Sequence, residues 1–175
     1  MKANQELELE ITILPKRIPK EIIGKTPAKM VDIYIPEDAP HAHLRVRKKD
    51  GVMLITKKRP LADDPSTQVE TSIPLDETEY AALCRASNRR IEKERYKVEI
   101  AGRMAEVDVF GGALKGLMLV DFEFENEQAR ADFELPNDLV LADVTREEFV
   151  AGGWLAGKSY DDIRDKLDNF GYKAL

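Results

Sequence analysis

The chain has little of what nucleophilic or soft-metal chemistry needs. Its 175 residues include one cysteine, Cys84, and two histidines, His41 and His43. A lone cysteine excludes an internal disulfide framework, so a reducing, cytoplasmic setting is expected. No apolar run approaches the ~20 residues that cross a bilayer, and the opening MKANQELELE has no signal-peptide core, so no membrane partner is expected. No Ser/His/Asp constellation is visible. His41 and His43 stand two apart with no third ligand nearby, and Cys84 falls on the apolar stripe of an expected helix. Internal repeats and low-complexity tracts are missing too.

An excess of one charge is also lacking. Lys and Arg total 27 against 33 Asp and Glu, a net charge of −6. That balance lacks the basic excess of a surface for duplex nucleic acid. With 43% hydrophobic residues, the chain is long enough to bury a core, and residues 1–175 are expected to form a single domain.

What is present is a period of two. From Glu6 to Ile13 polar and apolar residues alternate, the pattern of a strand with one wet face. His43 to Lys49 and Val52 to Lys58 flank Asp50-Gly51, a strong hairpin signal. Gln68 to Ile73, Glu92 to Ile100, Arg103 to Phe110 and Leu117 to Glu125 complete the expected strands, with Pro60 to Thr67 as an exposed loop. Asp76-x-x-Glu79, Thr145-x-x-Glu148 and Ser159-x-x-Asp162 read as helix starts, and short helices are expected near Lys20 to Gly24 and Asn126 to Asp132. The fold class is α+β: an antiparallel barrel, closed or nearly so, with helices packed on its outside.

The strand faces sort the charges. Glu6, Glu8 and Glu10 share one face, Arg45 and Arg47 another, and Lys93, Arg95 and Lys97 a third. Glu106 and Asp108 share the next, and Asp121, Glu123 and Glu125 the last. Helices that cover the apolar faces turn these charges into the lumen. There they need water and a ligand of mixed demand, because uncompensated buried ions are very costly. Carboxylates suit Mg²⁺ or Mn²⁺, and Arg and Lys suit phosphate. A metal-chelated polyphosphate uses both walls.

In order along the chain stand Glu8-Leu9-Glu10-Ile11-Thr12, Arg45-Val46-Arg47 with Lys57, Lys93-Glu94-Arg95-Tyr96, Glu106-Val107-Asp108-Val109-Phe110, Gly116 to Glu123, and Val144-Thr145. This ordered set resembles the CYTH superfamily, the triphosphate tunnel metalloenzymes. The resemblance implies a closed eight-stranded antiparallel tunnel, with residues 145–175 as C-terminal helices on or near it. It also implies metal-dependent hydrolysis of a triphosphate, most simply inorganic tripolyphosphate. Carried over, Glu8, Glu10, Asp108, Asp121 and Glu123 hold Mg²⁺ or Mn²⁺, and Arg45, Arg47, Lys57, Lys93 and Arg95 hold phosphates. Glu8, Glu10, Arg47, Lys57 and Glu123 are the expected catalytic group, with Glu70 in support. Thr12 stands where the family has lysine, and Lys16, Arg17 and Lys158 are the candidate cations to replace it. The alternatives are an adenylate cyclase of class IV type, a thiamine triphosphatase, and a catalytically weak polyphosphate- or nucleotide-binding module. A homodimer is an open expectation.

Overall fold

A computed structural model describes the backbone of residues 4–61 and 64–175 and the side chains of residues 9–57 and 69–175. These residues form a nine-stranded antiparallel sheet: β1 (Asn4–Pro15), β2 (Ala28–Ile35), β3 (Leu44–Lys49), β4 (Val52–Leu61), β5 (Asp64–Pro74), β6 (Arg90–Ile100), β7 (Arg103–Phe110), β8 (Met118–Phe124) and β9 (Val140–Asp143). The spatial order is β5-β4-β3-β2-β6-β7-β8-β1-β9, and β1 also pairs with β5. Four helices accompany them: α1 (Glu77–Cys84), α2 (Glu127–Ala131), α3 (Gly152–Leu155) and α4 (Tyr160–Asp168).

The expected closed eight-stranded barrel is corrected on two counts. The sheet has a ninth strand, and its ends meet along only part of β1. β1 pairs with β5 through residues 4–9, with β8 through residues 9–13, and with β9 from Ile13. Between Leu9 and Ile13, the edge of β1 away from β8 has no described strand. The sheet is rolled, with a seam there.

Local chemistry explains most elements. Asp50 and Gly51 both take positive φ, 47° and 88°, and join β3 to β4 with Lys49 opposite Val52. Two positive-φ residues make a turn whose twist matches the flanking strands, and Asp-Gly tolerates it. At α1, the Asp76 carboxylate accepts from the Glu79 N–H at 2.8 Å while Glu79 accepts from the Asp76 N–H at 2.9 Å, the expected capping box. Yet α1 buries none of its residues, so the apolar stripe expected for Tyr80, Leu83 and Cys84 meets no core. Ser159 caps α4 as expected, and Asn126 caps α2. The start expected at Thr145 is not a cap: Glu148–Val150 form a 3-10 turn, and α3 follows. Strand pairing reaches Leu61 and resumes at Asp64, where the two residues face each other. The loop expected from Pro60 to Thr67 is therefore largely strand, with residues 62 and 63 outside the described set.

The two sheet faces carry two cores. Leu9, Ile13, Ala105, Val107, Val120, Phe122 and Phe124 form one with Leu139, and Phe133 packs against it; α2 lies on this side against β1 and β8. The other core begins where the charged faces of the strands turn apolar: Leu14, Tyr34, Ile91, Phe110 and Leu119 meet Phe149, Leu155, Ile163, Leu167 and Tyr172. The C-terminal segment, expected as helices on or near the barrel, thus stoppers the inner face at one end.

That stopper is fastened without a strand. Arg89 Nε donates to Ala156 O at 2.9 Å, and Arg89 Nη2 to Gly153 O at 2.6 Å and Pro40 O at 3.5 Å. Its Nη1 donates to Ala39 O. Gly153 sits so close that an added Cβ would lie 1.9 Å from Ala42 O.

A candidate polyphosphate site in the rolled sheet

The inner face encloses a cavity of about 720 Å³. Its walls follow the sheet order. β3 and β6 supply Arg45, Arg47, Lys49, Lys93 and Arg95; the next strands, β7, β8 and β1, supply Glu106, Asp108, Asp121, Glu123, Glu10 and Thr12. Strand periodicity explains this sorting, since residues two apart share a face.

On the basic side, Arg47 and Asp32 are cross-strand partners and join through two bonds, Nε to Oδ1 and Nη2 to Oδ2, each 2.6 Å. Burial by itself would raise the Asp32 carboxyl, but Arg47 reverses this and holds it at about 2. Burial would also lower the Arg45 pKa; Asp32, Tyr34 and Glu70 overcome it and raise the net value. Arg45 Nη2 lies 3.4 Å from Glu70 Oε2, while its buried Nε has no hydrogen-bond partner among the described residues. Glu70 also accepts from Ser72 Oγ at 3.1 Å.

Asp108 occupies the border between the walls. Arg95 Nε and Nη2 each donate to it at 2.6 Å, and Lys93 Nζ bonds it as well. Burial raises its carboxyl, but Lys93 and Arg95 pull it far below the usual range. Burial, then repulsion from Arg95, push Lys93 down to about 8, against the pull of Asp108. Both oxygens of Asp108, an expected metal ligand, are thus engaged by cations. Glu106 is held between Arg95 and Lys97, with Lys97 Nζ 2.6 Å away.

The acidic side is crowded. Glu10 stands opposite Glu123, and Glu106 opposite Asp121, pairings that repel directly. Burial, Glu10 and Asp108 push Asp121 up to about 7, against Arg95 and a bond from Thr12. That bond runs from Thr12 Oγ1 to Asp121 Oδ1 at 2.7 Å. Burial and Glu106 raise Glu123 as well. Among the described residues no three His, Cys, Asp or Glu side chains converge as a ready-made metal cluster. Still, oxygen donors in mutual repulsion are what a hard divalent cation relieves, so the donor set fits Mg²⁺ or Mn²⁺.

Two expected residues do not enter this picture. The side chain of Glu8 lies outside the described residues. Lys57 is exposed and off the cavity wall; Thr56, its neighbour, is 1% exposed and faces inward, bonded to Ser72 Oγ at 2.8 Å. The parity of Thr56 falls on Lys58, which pairs in register with Glu70 and whose side chain lies outside the described residues. Lys16, Arg17 and Lys158 do not replace the lysine at position 12. Lys16 bonds Asn137 O at 2.8 Å, Arg17 bonds Asp138 at 2.5 Å, and Lys158 lies 4.4 Å over Trp154, all off the cavity wall. Sequence reasoning missed Asp32, Lys49 and Arg146 in the site. Lys49 had a signal, the parity it shares with Arg45 and Arg47; Asp32 lay in an unrecognised strand.

No family model matches the chain. It is 31% identical over 131 residues to an inorganic triphosphatase of Nitrosomonas europaea, covering 74% of this chain and 83% of that protein. Its fold is similar to the crystal structure of the inorganic triphosphatase NE1496, with a TM-score of 0.62 and 27% identity, over 85% of this chain and 93% of the other. A further likeness, in fold alone, is to PH1012 protein from Pyrococcus horikoshii, with a TM-score of 0.51 and 21% identity over 71% of this chain and 84% of that one. With this relationship joined to the two charged walls, the chain belongs to the CYTH superfamily of triphosphate tunnel metalloenzymes.

Proposed function

We propose that this protein hydrolyses inorganic tripolyphosphate with the help of Mg²⁺ or Mn²⁺. One observation carries the reading: a single cavity is divided between a basic half on β3 and β6 and an acidic half on β7, β8 and β1. The likeness to an inorganic triphosphatase supports it.

Arg45, Arg47, Lys93 and Arg95 hold the phosphates. A guanidinium has five N–H donors, so Arg47 keeps three after its two bonds to Asp32. Arg45 offers a buried Nε with no partner among the described residues, so a phosphate oxygen satisfies it at little further desolvation cost. Asp32, Asp108 and Glu70 are positioning residues that fix the forks of these cations. Glu10, Asp121 and Glu123 hold the metal, joined by Glu8 from the same strand. When bound, the metal supplies charge neutralisation at the phosphate oxygens. The chain's own contribution is to keep the polyanion in line between the two walls.

The test is phosphate release from tripolyphosphate, ATP and thiamine triphosphate, each with Mg²⁺ or Mn²⁺ and with chelator. The expected result is metal-dependent release, fastest from tripolyphosphate. No release from any of the three overturns the hydrolase reading in favour of a binding module.

A further inference from the structure

Arg146 is a cation of the cavity wall that stands beside Glu147 and Glu148 but forms no ion pair with either among the described residues. It lines the cavity and is exposed, and its guanidinium makes no ion pair or hydrogen bond among the described residues. Its backbone is nevertheless fixed. Thr12 N–H donates to Thr145 Oγ1 at 3.0 Å, and Val144 N–H donates to Thr12 O at 2.9 Å. Thr145 Oγ1 donates in turn to Asp143 Oδ1 at 2.5 Å. Thus the residue before Arg146 is latched to β1 at the residue whose side chain bonds Asp121. The latch lies in the interval of β1 between its β5 and β9 pairings, so Arg146 reaches the cavity at the seam.

The surroundings call for a cation at this place. Arg95 approaches Asp121 at 3.9 Å, but it is already committed to Asp108 and Glu106. Glu148, two residues beyond Arg146, is 2.9 Å from His41 Nδ1. A polyanion drawn against Glu10, Asp121 and Glu123 meets repulsion unless positive charge arrives from the same side. Thr12 offers only a neutral hydroxyl, and that hydroxyl is spent on Asp121.

We propose that Arg146 is a substrate-binding residue that grips the phosphate lying nearest the acidic wall, doing from the seam what a lysine at position 12 would do from β1. The inference rests on the triphosphate reading of the cavity. Because the Arg146 side chain makes no described contact, its removal leaves the fold intact, and the same melting temperature for Arg146→Ala and wild type checks this.

The experiment measures kcat and KM for tripolyphosphate, and, by calorimetry, the Kd for tripolyphosphate without added metal. Arg146→Ala is expected to raise KM and Kd about tenfold with kcat within about twofold. Arg146→Lys recovers most of the loss, and Lys115→Ala, an exposed lysine off the cavity, changes neither constant. Unchanged KM and Kd in Arg146→Ala overturn the assignment, and so does an equal effect of Lys115→Ala. If the wild type turns over no triphosphate, the hydrolase reading fails; the comparison of Kd values then decides Arg146 alone.

Discussion

Asp32 on β2 and Arg47 on β3 face each other in register and share two 2.6 Å hydrogen bonds inside the protein. The pair sets the plane of a guanidinium that would otherwise rotate about its own stem, which matters where a fork must meet phosphate oxygens. Asp32→Asn leaves that guanidinium buried without its counter-charge. A stability loss of about 3 kcal/mol is expected, read as a lower urea midpoint, together with a rise in KM.

The same pair makes stability depend on acidity. Asp32 has its folded pKa depressed from 3.8 to about 2. Its contribution is therefore present above about pH 4 and lost as pH falls through 2, amounting to roughly 2 kcal/mol. Urea titrations of wild type and Asp32→Asn at pH 6, 4 and 2 should show their difference narrowing across the lowest interval. A constant difference would contradict the depressed pKa.

How much of this was legible beforehand depended on contrast between strand faces. β1, β3, β6, β7 and β8 alternate cleanly, so their faces and most wall residues could be sorted from period alone. β2, AKMVDIYI, does not: Met30, Asp32, Ile33 and Tyr34 are all buried, so no wet face marks it, and Asp32 was invisible with it. β9 has four residues, too short for a period to be read. Lys57 and Lys58 are adjacent, and choosing between them needed the register, which shows Thr56 facing inward. The stopper's seat on the inner face was not legible because Leu14, Leu119 and Phe110 continue the charged faces of their strands. Only tertiary packing shows that those faces change character part-way along.

Parity leads to a mutational contrast. Lys57→Ala should leave KM for tripolyphosphate unchanged, whereas Lys58→Ala should raise it about tenfold, the scale of one charge-assisted phosphate contact. Steady-state kinetics on the two variants check this. The reverse order would mean that β4 presents its other face.

Two carboxylates on the inner face should respond differently to neutralisation. Glu10→Gln relieves repulsion with Glu123 while removing the charge of a proposed metal ligand, so the concentration of Mg²⁺ or Mn²⁺ for half-maximal activity should rise at least about tenfold with little change in melting temperature. Asp108→Asn strands Lys93 and Arg95 and should cost about 3–5 kcal/mol in stability without altering the metal requirement of the folded fraction. Metal titrations beside thermal melts separate the two.

Thr12 tunes Asp121. The hydroxyl's hydrogen bond lowers a carboxyl that burial, Glu10 and Asp108 push up to about 7. Thr12→Val removes the bond, so Asp121 holds its proton to higher pH. Metal binding needs the deprotonated form, and the acid limb of the pH–rate profile should move upward. A limb that stays in place would show that Asp121 does not govern metal binding.

The clasp made by Arg89 has a bearing on how this protein can vary. Its four acceptors, the carbonyls of Ala39, Pro40, Gly153 and Ala156, belong to the backbone, and every residue type carries a carbonyl. The side chains at 39, 40 and 156 therefore supply none of these four bonds, although Ala156 is buried in the core and Ala39 packs against it. The restriction gathers instead on the donor, residue 89, and on Gly152 and Gly153, where a Cβ would lie 2.0 Å from Tyr34 Oη and 1.9 Å from Ala42 O. The end wall of the cavity is therefore brittle at its donor and at two adjacent glycines.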